Sequence, residues 1–347
     1  SSDVCSSDLK KEKNVEVGRA MKIPDLAFYM QTVIEQLEAD KKRSAAHTYT
    51  YALKSIAEFY GGAGMPMPVD EVFTPGRLKE YEEWMRREGM RKRKREPKGL
   101  SLNTISTYMR MLRCIYNRGV DMHQTPYVHR MFRDVFTGID TRQKKAIPIN
   151  ELHTLLNEDP QSDKLRRTQA IANLLFLFCG MPFVDLAYLE KSNLEGNMLK
   201  YNRAKTGIPM NVEILDSAAT IISQLRNKHT TVLPEHPDYL FYILSGKNKR
   251  SDEAGYKEYQ SALRCFNNDL KSLARKLCIR SSVTSYTFRH SWATTAKYRG
   301  VPIEMISESL GHKSIKTTQI YLKGFELSER TKVNRLNYSY VMNFKTI

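Results

Sequence analysis

The sequence predicts a two-domain, mainly α chain (α+β overall), with one small antiparallel sheet in its second part. Three observations predict it. The chain has 347 residues, and roughly 100–200 residues per domain favours two domains. Apolar residues recur at helical spacing through most of the chain. Two short runs of strand character flank one turn containing a glycine. A hydrophobic content of 41% supplies cores and excludes wholesale disorder.

In chain order, Ser1–Leu9 is polar and patternless and lacks the apolar stretch of a secretory signal. It resembles the in-frame translation of a sequencing adapter, so 1–9 is set apart as a scar and 10–23 as a charged lead-in. From Pro24, the residues Leu26, Phe28, Tyr29, Val33, Ile34 and Leu37 fall at helical spacing. A second helix starts near Ser44 and stops at Gly61-Gly62. Thr74 and Pro75 open a third, Thr74 as N-cap and Pro75 in the first turn. Ser101 caps a fourth that ends near Gly119. These four helices form one domain over 24–137, and 138–149, lacking amphipathic periodicity, reads as a linker. The second domain spans 150–326. Its helices are expected at Asn150–Asn157, Thr168–Phe178, Ser217–Leu225, Lys257–Leu277, Thr287–Tyr298, Ile303–Leu310 and Ile315–Tyr321. Its hairpin is Met198–Asn202 and Met210–Ile214 around Lys205-Thr206-Gly207. The tail, 327–347, continues an amphipathic pattern with no core of its own domain left to cover, and could dock on a neighbouring protomer.

Charge narrows the partners. The chain carries 55 Lys+Arg against 38 Asp+Glu, a net +17, which favours a polyanion, most commonly nucleic acid. Arg91-Lys92-Arg93-Lys94-Arg95 is too polar to pack and is expected to contact DNA phosphates. Five cysteines with no CxxC indicate neither a zinc cluster nor a disulfide framework and fit reduced cytosolic thiols. The longest apolar run, Ile171–Phe178, interrupted by Asn173, is far short of the ~20 residues of a membrane span.

Three patches of the second half belong together. Lys205 lies on the turn between the strands. Tyr286-Thr287-Phe288-Arg289-His290-Ser291-Trp292-Ala293-Thr294-Thr295 opens a helix. Leu310-Gly311-His312-Lys313-Ser314 is followed, nine residues after His312, by Tyr321. Taken together they resemble the motifs of the tyrosine recombinase (lambda-type integrase) family, in the family's order, over roughly Pro24 to Lys323. The resemblance implies a SAM-like helical core-binding domain followed by a catalytic domain. It implies site-specific DNA recombination through a 3′-phosphotyrosine intermediate at Tyr321, on double-stranded DNA. Further implied are a homo-tetramer on paired sites, accessory DNA-bending proteins and a bacterial, cytoplasmic, DNA-associated setting.

The residue types suit that chemistry on their own terms. A tyrosine hydroxyl attacking phosphorus conserves the phosphodiester's bond energy, so ATP is not needed. Arg289 offers an always-charged fork to the non-bridging oxygens. His312 can hydrogen-bond the same phosphate, and Lys205 can protonate the departing 5′ oxygen. The sequence has no acidic cluster with metal-ligand spacing, so neither metal nor any other cofactor is expected.

Two positions depart from the family pattern. Its first active-site arginine should follow Gly180-Met181, where Pro182 stands, and the histidine of its HxxR block is replaced by Tyr286. Tyr286 can hydrogen-bond but cannot carry a proton near neutrality as imidazole does. Some integrases of bacterial conjugative elements similarly lack that arginine. The candidates for a substitute are Arg167, favoured because it starts the helix leading to Gly180, then Arg203 beside Lys205, then Arg166. Two rival readings stay open on sequence alone: a catalytically weakened DNA-binding protein of the same fold, and DNA relaxation of the type IB topoisomerase kind.

Overall fold

The computed structural model describes residues 25–89, 99–140, 146–226, 237–248, 250, 252–322 and 327–342. The basic tract Arg91, Lys92, Arg93, Lys94 and Arg95 lies outside the described residues. The chain divides into two compact units between Asp140 and Thr141.

The first unit is helical among its described residues. Its helices are α1 (Leu26–Ala39), α2 (Arg43–Phe59), α3 (Val69–Val72), α4 (Pro75–Arg87) and α5 (Leu102–Asp121). Capping chemistry sets the starts. The side chains of Asp25, Thr74 and Ser101 each accept a backbone N–H of the first turn that follows. Asp25 also accepts the N–H of Met67 at 2.6 Å, tying the start of α1 to a segment 42 residues away. Met30, Ile34, Ile56, Tyr81, Met85, Ile105 and Met109 fill the core. Tyr81 donates its hydroxyl to Ser55 inside that core at 2.8 Å. Phe28, which has the spacing of a core residue, is 65% exposed. Its neighbours Leu26 and Met30 already occupy the buried stripe of α1.

The second unit packs its helices on one another and adds one small sheet, which contributes Leu199 and Val212 to their core. It runs α6 (Ile149–Asn157), α7 (Asp163–Leu177), α8 (Phe183–Ala187) and a 3-10 turn, Lys191–Asn193. Next come β1 (Leu194–Glu195), β2 (Met198–Asn202) and β3 (Pro209–Glu213), antiparallel in the order β1-β2-β3. The chain then continues through α9 (Asp216–Leu225), α10 (Glu253–Lys276), α11 (Ser285–Tyr298), α12 (Ile303–Ser309), α13 (Ile315–Tyr321) and α14 (Leu327–Met342). Leu199 pairs with Val212, and Asn202 with Pro209, which fixes the register of the turn that carries Lys205. Leu174, Leu175, Phe178, Leu186, Leu199, Leu270 and Phe288 form the main core. A separate small cluster, Ala293, Ile306, Leu310 and Leu322, joins α11, α12 and the end of α13. The tail is a helix, but the amphipathic expectation for it is not met. Its apolar residues are spread around the helix rather than gathered on one face, and Val333, Leu336, Tyr338 and Met342 are exposed. Among the described residues, no helix is long and apolar enough to cross a membrane.

Candidate active site

Arg289 sits in the first half of α11 and is only 2% exposed. A buried guanidinium must satisfy its N–H groups. Its Nη1 donates to the carbonyl of Gly180 at 3.0 Å, and its Nη2 to the carbonyl of Leu310 at 2.6 Å. The approach to Gly180 is close enough to require glycine. A Cβ there would stand 2.8 Å from the Arg289 Cα, and Gly180 has φ +69°. Cys179, immediately before it, also has positive φ, +53°, a conformation that costs a non-glycine residue energy.

Arg289 Nη2 also lies 3.0 Å from His312 Nε2. Since arginine only donates, His312 Nε2 accepts. The other ring nitrogen, Nδ1, then carries the hydrogen and donates to the hydroxyl of Thr318 at 2.8 Å. The neutral imidazole this requires fits its surroundings. Burial, then the charges of Arg289, Arg203 and Lys205, pull the His312 pKa down to about 4. Thr318, fully buried on α13 three residues before Tyr321, thus ties the nucleophile-bearing helix of the sequence reading to His312. Leu322, 7% exposed, anchors the far end of that helix in the small apolar cluster.

The lysine turn is fastened to the same place. Thr206 donates its hydroxyl to the carbonyl of Gly311 at 3.2 Å. Gly311 has φ +62°, and a Cβ on it would meet Arg203 Cγ and Met210 Sδ at 2.8 Å each. Arg203 is 5% exposed and donates from Nη1 to Asp185 Oδ2 at 2.8 Å. The other oxygen of Asp185 accepts the N–H of Ala204 at 2.9 Å. Lys205 itself is exposed, at the tip of the turn.

The structure therefore brings Arg289, His312, Lys205 and Arg203 into one electrostatic cluster. Tyr286 lies one turn before Arg289 on α11, 41% exposed, with its ring 5.9 Å from that of His290. Tyr321 is the last residue of α13, and its side chain lies outside the described residues. Arg166 is exposed and bound to Asp159 and Asp163. Arg167 is also exposed and donates to the carbonyl of Tyr242 at 2.7 Å. The sequence does not announce Thr318, the pairing of Asp185 with Arg203 or the two carbonyl acceptors. Thr318 stands within the motif that carries Tyr321, but spacing alone does not show that it faces His312.

Other proteins share both the fold and the motif-bearing segments, and they define the class as tyrosine-type site-specific recombinases. A phage integrase family profile matches residues 145–326, and a phage integrase SAM-like domain profile matches 25–129. The chain belongs to the phage integrase family. It is 24% identical over 231 residues to tyrosine recombinase XerD of Listeria monocytogenes, covering 64% of this chain and 72% of that one. With tyrosine recombinase XerA of Pyrococcus furiosus it shares 30% identity over 195 residues, 56% of this chain and 62% of that protein. The fold is similar to that of the Tn1549 transposon integrase, solved in complex with a circular intermediate DNA. That match has a TM-score of 0.61 and 14% identity and covers 90% of this chain and 99% of that one. XerH bound to a palindromic difH substrate matches with a TM-score of 0.58 and 17% identity, over 87% and 83% of the two chains.

Proposed function

We propose that this recombinase cuts and rejoins double-stranded DNA through a 3′-phosphotyrosine link at Tyr321. In this reading the first unit is the core-binding domain, the second the catalytic domain, and the tract Arg91–Arg95 adds phosphate contacts. The Tyr321 hydroxyl oxygen bonds to phosphorus and releases its proton to water. The bond from phosphorus to the 5′ oxygen breaks, and Lys205 supplies a proton to that oxygen. Arg289 neutralises charge growing on the non-bridging oxygens. His312 assists through a hydrogen bond. Thr318 can both donate and accept, so its hydroxyl can donate to Nδ1 in the other tautomer. That tautomer forms by proton exchange with water and presents Nε2–H to the phosphate once Arg289 Nη2 has turned to a phosphate oxygen. Four protomers on paired sites, with DNA-bending partners, would complete strand exchange, and α14 with its exposed apolar side chains is the segment available for contact between protomers.

The observation that carries this reading is the positive field around His312. Burial and the charges of Arg289, Arg203 and Lys205 pull the His312 pKa down to about 4, and of these cations Arg203 is paired with a carboxylate, Asp185. Such a site favours an anion, and a phosphodiester supplies one. A duplex nicked beside the cleavage site tests the reading, because the short cut strand diffuses away and leaves protein attached. Wild-type protein should give an SDS-resistant adduct. Arg289→Ala should form it about 10²–10³-fold more slowly with near-normal duplex binding. Equal losses in binding and cleavage would assign Arg289 to binding alone. Lys205→Ala should cleave slowly unless the leaving group is a 5′-phosphorothiolate, which needs no proton. Failure of that rescue removes Lys205 from the acid role. Pro182 and Tyr286 favour one second reading, a chain of this fold that binds DNA but cuts weakly, and a wild-type protein that binds without forming adduct would establish it.

A further inference from the structure

We propose that Arg203 is the second guanidinium of the phosphate clamp, reaching from the strand side the place left without an arginine by Pro182. The inference rests on the strand-transfer reading above and adds to it a residue that contacts the scissile phosphate. Pro182 is buried and caps α8, and its carbonyl accepts the N–H of Asp185 at 3.0 Å. Proline can offer no charge from that position. Asp185, on the first turn of α8, instead receives Arg203 from the end of β2. The ion pair thus seats the Arg203 guanidinium within one helical turn of Pro182.

Four further features bear on its role. Arg203 is one of two buried arginines among the described residues, and the other is Arg289. Its charge is among those that depress the His312 pKa, so it lies close to the group expected to touch the phosphate. Its aliphatic stem packs on Gly311, the residue before His312, where only a glycine leaves room. Its Nε is buried and donates to no group in the structure, whereas Nη1 is held by Asp185. A buried N–H of an ionised group without an acceptor is costly, and a phosphate oxygen would relieve that cost. Asp185 also fixes Ala204 and hence the Lys205 turn, so one carboxylate positions both the clamp and the general acid. Arg166 and Arg167 share none of this: both are exposed, the first paired with two aspartates and the second bound to a carbonyl.

A purely architectural ion pair would also be buried, so the test must read charge at phosphorus rather than stability. A methylphosphonate at the scissile position replaces a charged non-bridging oxygen by methyl and lessens the need for a cation. Strand cleavage is measured on phosphate and methylphosphonate duplexes for the full chain, Arg203→Ala, Arg203→Lys, Arg167→Ala and Tyr321→Phe. Arg203→Ala is expected to cleave the phosphate duplex about 10²–10³-fold more slowly than wild type. On the methylphosphonate duplex its rate is expected to return to within about tenfold of wild type. Should Arg203→Ala fail to fold, Arg203→Lys carries the test: it keeps the charge beside Asp185, loses the fork, and should show the same substrate-dependent recovery. Folded Arg203 variants that are slowed equally on both duplexes, or not slowed at all, overturn the proposal. A methylphosphonate-restored loss at Arg167→Ala instead also overturns it and moves the clamp to α7. Wild-type protein that cleaves no better than Tyr321→Phe overturns the strand-transfer reading itself, and the clamp with it.

Discussion

His312 lies among the charges of Arg289, Arg203 and Lys205, and in the proposed strand transfer it also hydrogen-bonds an anion. Its depressed pKa has a consequence for stability. Between about pH 6.5 and pH 4 the unfolded chain binds a proton at this ring and the folded chain does not. The stabilisation from keeping it neutral is therefore complete above pH 6.5 and is lost as the pH falls through that window. Melting curves of the DNA-free protein should show a fall in Tm over this range that is smaller in His312→Gln, and an identical fall in both proteins would contradict the assigned environment. Arg289, His312 and Lys205 are legible in the sequence because their chemistry travels with fixed local motifs. The link between Asp185 and Arg203 spans 18 residues and depends on α8 meeting the end of β2, so no local spacing announces it. Arg167 is the better substitute for Pro182 only while its position on α7 is the sole guide.

Glycines and caps do the shaping of the elements. Gly311 turns the chain between α12 and α13 in a left-handed conformation while Arg203 and Met210 press against it. Gly311→Ala should lower stability by about 1–2 kcal/mol from backbone strain alone, and more where the neighbours cannot yield. It should also slow cleavage, since it displaces both His312 and Arg203. Denaturant melts with adduct assays check this, and a variant of wild-type stability and rate would show that the turn tolerates a side chain. In the first unit Ser101→Ala should cost about 1 kcal/mol by removing the cap of α5. The caps Thr74 and Ser101 can be read from sequence, because a hydroxyl ahead of an apolar helical stretch acts locally. The short elements α3, α8 and β1 cannot, since two to five residues are too few for a period to repeat. The faces of α14 are misread from sequence because its few apolar residues fit a helical stripe only when chosen selectively.

At the scale of the whole molecule, a net charge of +17 predicts a long-range pull on DNA that salt weakens. Duplex affinity should fall linearly on a log–log plot against salt. Neutralising Arg91, Lys92, Arg93, Lys94 and Arg95 together should make that slope shallower, because fewer counterions are then released on binding. An unchanged slope would take the tract out of the DNA contact. Removing 327–347 should leave a folded chain that binds single sites but assembles fewer two-site complexes in gel shifts. Normal two-site assembly would discard α14 as a contact between protomers. Strand transfer as proposed turns on one covalent event, and its site can be read directly. The full chain is trapped on the nicked duplex and digested, and the peptide carrying the 3′-linked nucleotide is identified by mass spectrometry. The nucleotide is expected on Tyr321, and Tyr321→Phe should yield no such peptide while still binding DNA. A nucleotide on any other residue, or an adduct formed equally by Tyr321→Phe, would show that strand transfer does not run through Tyr321.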